Sequence, residues 1–312
     1  MSMEKFILLI CLLSTITTAG QNLTLKTDIP QHISLPMTDI KIKIDADHLI
    51  LTYISEEPQA DFLRVKYKKP QWNVFDGEAV EFTFSPYGGW PGYRFLLNPS
   101  GKFFQSFYGS PKWTSRYITG KVEIQDNSWN VKIRIPFATM ENDHFLNPDA
   151  SEKNLFLISE HWKVNFIRNR RMTGRLEYFA WSKEKNLAKS GNLVLPVNHL
   201  SAFRKIALKK LKVDTVDADT GKTALHGIFA IPERSTVFSG SAKVILYADR
   251  DKKLLSEIPL KLASGERRKF TIPFTLEESG KHFGINLEVY DENGRLVRVS
   301  RDLPVQNPWV EF

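Results

Sequence analysis

The chain has 312 residues, of which 42% are hydrophobic and 25% charged, and it carries a formal net charge of +8. This balance excludes an intrinsically disordered protein and predicts two domains, each with apolar content enough for a core of its own. With one cysteine, the chain can build neither a disulfide framework nor a thiolate-ligated metal site.

The first 20 residues read as a leader. Lys5 supplies a small positive region, Phe6 to Leu13 an apolar run, and Thr17-Thr18-Ala19-Gly20 the small residues of a cleavage site after Ala19 or Gly20. The run is shorter than the roughly 20 residues that a spanning helix needs. Cys11 lies inside this leader, behind Ile10, where a bacterial lipoprotein signal would want a small residue. An exported chain without thiols fits a bacterial periplasm or cell exterior. Asn22-Leu23-Thr24 matches the N-glycosylation pattern, a frequent chance match that we read as idle. Export and the scatter of the lysines argue against a nucleic-acid partner. An anionic glycan or an acidic cell surface is the sharper reading of the basic charge, and a solvated exterior the plainer one.

From residue 21 to 198 strand patterns dominate. Candidates are Ile40–Ile44, Leu49–Ser55, Val80–Ser85, Tyr93–Asn98, Lys121–Gln125, Trp129–Pro136, Lys163–Arg168 and Leu193–Pro196, rich in β-branched and aromatic residues and bounded by turn formers. Phe137 to Met140 reads as a short helical turn. A boundary falls near Pro196 to Arg204. Residues 205–312 then hold seven short strands, at Ala207–Thr215, Thr223–Ala230, Ser241–Asp249, Leu254–Leu260, Arg267–Phe274, Phe283–Tyr290 and Leu296–Pro304. That number over about 110 residues is the pattern of an immunoglobulin-like sandwich. Asn293-Gly294 predicts a tight type I′ hairpin between the last two.

The stretch Phe75 to Asn98 carries the chemistry. Paired as two strands, it places Glu81, Thr83, Arg94, Leu96 and Asn98 on one face and Val80, Phe82, Phe84, Tyr93, Phe95 and Leu97 on the other. One face is core. The other holds a carboxylate, a guanidinium and an amide, fixed donors and acceptors that suit sugar hydroxyls. Glu81 and Arg94 can equally be a cross-strand ion pair on a solvated face, and Asn98 can open the turn toward Gly101. Aromatic rings suit the apolar CH face of a pyranose. Trp129 and Trp162 read as core, and Trp90, in Gly88-Gly89-Trp90-Pro91-Gly92, as exposed; Trp181 is open between the two.

The order of these segments resembles the family 9 carbohydrate-binding modules. The match covers roughly Asp76 to Leu195. It runs from Asp76-Gly77-Glu78-Ala79-Val80-Glu81-Phe82 to Tyr93-Arg94-Phe95-Leu96-Leu97-Asn98-Pro99-Ser100-Gly101, then Trp113, Trp129 with Ile135-Pro136, and Trp162-Lys163-Val164-Asn165-Phe166-Ile167-Arg168. It ends in Glu177-Tyr178-Phe179-Ala180-Trp181-Ser182 and Gly191-Asn192-Leu193-Val194-Leu195. The resemblance implies a β-sandwich that holds a sugar end between two rings with polar side chains from the concave face. Trp181 matches one ring, Trp72 or Trp90 the other, and Glu81, Arg94 and Asn98 the polar positions. Lys132 and Lys163 depart from the pattern, standing where the family usually has Glu and often Gly. The family's structural calcium has no clear acidic cluster here, so no cofactor is expected.

Arg168-Asn169-Arg170-Arg171-Met172-Thr173-Gly174-Arg175 reads as a basic loop, either a sulfate- or uronate-binding element or, as we favour, an exposed hairpin whose charges protect an edge. Glu78, Glu81 and Glu123 are not marked as a catalytic pair, and no nucleophile elbow, phosphate loop or zinc motif occurs. The expectation is therefore an all-β exported protein that binds polysaccharide or oligosaccharide without cleaving it, with no stable membrane insertion. Its C-terminal module would be a spacer or a protein-docking surface. The alternative is a structural or protein-interaction sandwich with no sugar site, docking a partner by strand addition.

Overall fold

The computed structural model describes residues 15–17, 21–24, 26–27, 38–45, 47–67, 77–89, 91–107, 110–111, 113–140, 158–171, 177–182, 187–195, 200–233, 235–248, 251–276 and 283–305. The fold is all-β. The chain divides into two compact units, one of Met1–Pro136 with Ser159–His199 and a second of Phe137–Ile158 with Leu200–Phe312.

The first unit contains β1 (Thr15–Thr17), β2 (Gln21–Thr24), β3 (Lys26–Thr27), β4 (Thr38–Asp45), β5 (His48–Glu56), helix α1 (Ala60–Lys66), β6 (Ala79–Ser85), β7 (Tyr93–Leu97), β8 (Phe103–Phe107), β9 (Thr119–Ile124), β10 (Ser128–Pro136), β11 (His161–Arg170), β12 (Glu177–Ala180) and β13 (Gly191–Val194). One sheet runs β1-β13-β11-β6-β7-β8, with β12 joined to β11 and β3 to β12; the other runs β2-β4-β5-β10-β9. The period of two decides what lies between them. Val80, Phe82, Phe84, Tyr93, Phe95, Leu97, Val164 and Phe166 of the first sheet are buried, as are Ile40, Ile42, Leu49, Leu51, Tyr53, Trp129, Val131 and Ile133 of the second. Phe82 stacks on Phe84 at 4.5 Å and on Phe166 at 5.0 Å, and Phe84 on Trp162 at 5.3 Å. Tyr53 crosses between the sheets. Its ring meets Phe166 edge-on at 6.4 Å, and its hydroxyl donates to the Glu81 carbonyl at 2.9 Å. Each such ring contributes about 1.5–3 kcal/mol by burial, so the aromatic layer dominates this core. Trp129 and Trp162 are both fully buried, the core positions expected of them.

The second unit contains β14 (Ala207–Val213), β15 (Lys222–Ala230), β16 (Phe238–Ala248), β17 (Asp251–Leu262), β18 (Arg267–Thr275), β19 (Phe283–Asp291), β20 (Leu296–Val299) and β21 (Leu303–Pro304). Its sheets run β14-β15-β18 and β17-β16-β19-β20, with β21 also on β19. Phe229 stacks on Phe270 at 4.2 Å, among buried Leu225, Ile272, Val244 and Leu287. The β19–β20 connection departs from the expected two-residue turn. Asp291 N–H donates to the Arg295 carbonyl and Gly294 alone has positive φ, at 74°, which makes a three-residue loop ending in a left-handed glycine.

Residues 137–140 and 158 also depart from the linear boundary, since they belong with the second unit. Phe137 packs on Phe203 at 5.6 Å. The fully buried guanidinium of Arg298 donates to three backbone carbonyls, those of Met140, Phe203 and Ile206. A cation gathering three carbonyls ties both entering segments to β20.

Candidate functional site

Directly paired residues of antiparallel strands share a face. Thr83 pairs with Arg94 and Asn165, and Glu81 with Leu96 and Ile167. Ile167 pairs with Ala180, and Asn169 with Tyr178. One face of β7, β6, β11 and β12 thus carries Glu81, Thr83, Arg94, Asn165 and Tyr178, opposite the aromatic core.

Glu81 and Arg94 form a bidentate pair there. Arg94 Nε donates to Oε1 at 2.7 Å and its Nη2 to Oε2 at 2.9 Å. Glu81 lies at the base, with its side chain 6% exposed, while that of Arg94 is 45% exposed. The bond to Glu81 raises the Arg94 pKa further above its usual range, outweighing burial, and the Tyr178 phenol adds to the effect. Tyr178 is itself exposed. Beneath them, Asn165 Nδ2 donates to the Ser182 carbonyl at 3.1 Å and its Oδ1 accepts the Ser182 N–H at 3.0 Å. This locks the end of β12 against β11. The result is a fixed carboxylate, a partly exposed guanidinium and an exposed phenol on one sheet face.

The other expected residues lie elsewhere. Trp181 continues the β12 ladder by one residue, its N–H donating to the Phe166 carbonyl at 2.9 Å. That parity turns its indole to the core side, edge-on to Phe166 at 5.8 Å and over Gly191. The structure therefore does not bring Trp181 together with Glu81 and Arg94; the three occupy opposite faces of one sheet. Asn98 is 1% exposed. Its Oδ1 accepts the Ser100 N–H at 3.1 Å, the Ser100 hydroxyl at 2.8 Å and the Lys102 N–H at 2.9 Å. With Gly101 at a φ of 79°, Asn98 makes the β7–β8 turn. Trp72 and Trp90 lie outside the described residues.

The basic segment is corrected most. Arg168 and Arg170 are buried, not exposed on a loop, because β11 extends through Arg170 and its even positions face inward. Arg168 donates to Glu57 at 2.9 Å, Glu78 at 3.0 Å, Thr38 Oγ1 at 3.2 Å and the Glu56 carbonyl at 2.9 Å. Arg170 bonds Glu57 through Nε at 2.8 Å and Nη2 at 3.0 Å, and Glu177 at 2.6 Å. Burial alone would raise the Glu57 pKa, but the bonds from Arg170 and the Gln59 N–H hold it below the usual value. Burial pushes Glu78 up, against the opposing pull of Arg168. These arginines are spent on carboxylates inside the protein, and so are withdrawn from any sulfate or uronate.

The same pairing bears on calcium. Glu57, Glu78 and Glu177 are already neutralised by guanidinium groups, and among the described residues no group of three or more His, Cys, Asp or Glu is placed to hold a metal ion. No described helix is long and apolar enough to cross a membrane.

Tyr178 and Asn165 were missed as site residues. The alternation Glu177-Tyr178-Phe179-Ala180 carries the signal for Tyr178, since a buried Phe179 puts its neighbours on the other face.

No family model matches the chain, and no curated protein matches it. Among solved structures it is similar to a protein from Bacteroides uniformis proposed to bind carbohydrate, at 15% identity and a TM-score of 0.39, over 57% of this chain and 87% of that one. It is also similar to a family 9 carbohydrate-binding module from Caldicellulosiruptor kristjanssonii in complex with cellotriose, at 11% identity and a TM-score of 0.36, over 55% of this chain and 82% of that one. A DUF4785 family protein from Legionella pneumophila matches at 11% identity and a TM-score of 0.24, over 89% of this chain and 58% of that one. All three scores are low, so function has to be read from the side chains of this chain.

Proposed function

We propose that this protein binds carbohydrate without cleaving it, on the sheet face that carries Glu81, Arg94 and Tyr178. The observation behind this reading is the Arg94–Glu81 pair, a guanidinium fixed by two short bonds yet 45% exposed on its side chain. Sugar hydroxyls both donate and accept. The part-exposed edge of the Arg94 guanidinium donates to them, held in place by the buried Glu81 carboxylate, and such charge-assisted bonds are about twice as strong as neutral ones. The Tyr178 ring offers an apolar surface for the CH face of a pyranose at small entropic cost. A single shallow face leaves little surplus after ordering costs, so binding is weak and reversible.

The leader-like start and the absence of cysteine after residue 11 support a secreted or periplasmic protein. Cleavage after Ala19 or Gly20 would remove β1, which pairs in parallel with β13, and leave β13 as the edge of its sheet. The second unit's division into sheets of three and five strands supports an immunoglobulin-like module serving as spacer.

The inward Trp181 and the turn-locked Asn98 favour a second reading, a sandwich that keeps the architecture and lacks a sugar site. Calorimetry with soluble oligosaccharides and pull-down on insoluble polysaccharides separate the two, using the full chain. The first reading expects binding that Arg94→Ala and Tyr178→Ala each weaken by about tenfold, or 1.4 kcal/mol. A folded protein that binds none of the panel upholds the second.

A further inference from the structure

We propose that the second unit carries its own binding groove for a neutral, polyhydroxylated ring, beside the β19–β20 hairpin. The strand register sets Ser241 across from Tyr290 and Lys243 across from Glu288, so these four side chains share one face of the five-stranded sheet. A groove of about 550 Å³ opens there, within the range of roughly 300–1,000 Å³ that small-ligand sites occupy. Gly240 is among its lining residues. A Cβ at that position would stand 1.9 Å from the Tyr290 carbonyl oxygen, so any other residue would force the two strands apart.

The walls are fixed by bonds of their own. The Tyr290 hydroxyl donates to Glu288 Oε2 at 2.5 Å, and Lys252 Nζ donates to Glu288 Oε1 at 2.7 Å. The Glu288 side chain is 1% exposed. Burial and the Glu288 carboxylate push the Tyr290 phenol well above its ordinary pKa, so it remains a donor. Lys243 Nζ sits 5.0 Å from the Tyr290 ring centroid and 3.4 Å from Glu257. Side chains already held in place lose little freedom when a ligand arrives.

The charges select the ligand. Lys243 and Lys252 are each matched by a carboxylate. The rim adds Asp291, whose Oδ1 accepts the N–H groups of Asn293 and Arg295, and the exposed Glu292. A phosphate, sulfate or uronate would face the negative charges of Asp291 and Glu292. A neutral ring meets a hydroxyl at Ser241, an ammonium donor at Lys243 and an acceptor at Glu292, with the Tyr290 ring for its CH face. The same parts occur in the first unit, where a buried Glu81 is gripped by a part-exposed Arg94 with Tyr178 on the same sheet face. The groove stands on the second unit's own residues and does not require the first unit's face to bind sugar.

Amide chemical-shift mapping on the isotope-labelled full chain tests this. Cellotetraose, xylotetraose, mannotetraose and inorganic phosphate are each titrated to about 20 mM, enough to load a site with a Kd of about 1 mM. The expected result is saturable movement of the Ser241, Tyr290, Glu292 and Gly294 amides with at least one tetrasaccharide and not with phosphate. Glu292→Ala and Ser241→Leu weaken it by about tenfold (1.4 kcal/mol), and Arg94→Ala leaves it unchanged. Movement confined to the Thr83, Arg94 and Tyr178 amides overturns the groove while upholding the first unit's site. Movement with phosphate alone, or with none of the probes in a well-dispersed spectrum, also overturns it.

Discussion

Replacing Arg168 by alanine tests whether the buried ion cluster organises the first unit. The side chains of Arg168, Glu57 and Glu78 are each 0% exposed. Arg168 supplies four hydrogen bonds, and its Nε has no hydrogen-bond partner among the described residues. The loss is uneven. Glu57 keeps two bonds from Arg170, whereas Glu78 keeps the backbone N–H of Arg171 at 3.0 Å. Breaking a buried pair from one side costs about 3–5 kcal/mol, chiefly because the remaining charge is stranded. For a unit of this size that is roughly 6–20 °C in midpoint temperature.

The pH dependence has a definite sign. The folded-state pKa of Glu78 is already raised, and removing the guanidinium raises it further. A carboxyl whose pKa rises on folding takes up a proton, which favours the folded state as pH falls. The deficit relative to the parent protein should therefore be larger at about pH 7.5 than at about pH 5. Six of the seven tryptophans lie between residues 72 and 181, so indole emission during urea or thermal unfolding follows the first unit. Glu78→Gln added to Arg168→Met should recover part of the loss, since it removes the stranded charge. A deficit under about 1 kcal/mol, or one independent of pH, would refute the reasoning.

Asn98→Ala leaves two backbone N–H groups and the Ser100 hydroxyl without their acceptor; it should cost about 2 kcal/mol in tryptophan-monitored unfolding and leave glycan affinity per folded molecule unchanged. Gly191→Ala puts a Cβ 1.7 Å from the Trp181 ring, so the indole must swing away; expected are a loss of about 1–3 kcal/mol and a red-shifted emission spectrum. Arg298→Ala strands three carbonyls in the second unit and should cost about 3 kcal/mol, seen as faster hydrogen exchange in β20 with indole emission unchanged. Acid should weaken the first unit through Glu57. Its folded pKa is depressed, so the stability it gives above the free carboxyl value of about 4.3 is lost as pH falls through and below that value; a denaturation series in pH, compared with Glu57→Gln, reports this.

The all-β class was legible because alternation is local: Val80-Glu81-Phe82-Thr83-Phe84 declares both its faces within five residues, and the bidentate partner of Glu81 sits 13 residues away across one loop. The ion cluster was not legible. Arg168-Asn169-Arg170-Arg171 resembles any solvated charge run, and its partners Glu57 and Glu78 stand 111 and 90 residues from Arg168. No periodicity reports such a pairing. Trp181 failed for another reason. The run Glu177 to Trp181 fixes relative parity, yet only the register of β12 on β11 says which parity faces inward. Asn98 was legible in both its roles, and the choice between them rested on whether its oxygen was already occupied.

The membership of residues 137–140 in the second unit has a practical corollary for dissecting the molecule. A cut at residue 198 looks clean on a linear map, but it would part residues 137–140 from the unit to which they belong. Phe137 and Met140 would travel with the amino-terminal fragment while Phe203 and Arg298, which they need, were discarded. Fragments divided that way would each carry a torn seam, and poor recovery or spurious adhesion of either half would reflect the scissors more than the native activity.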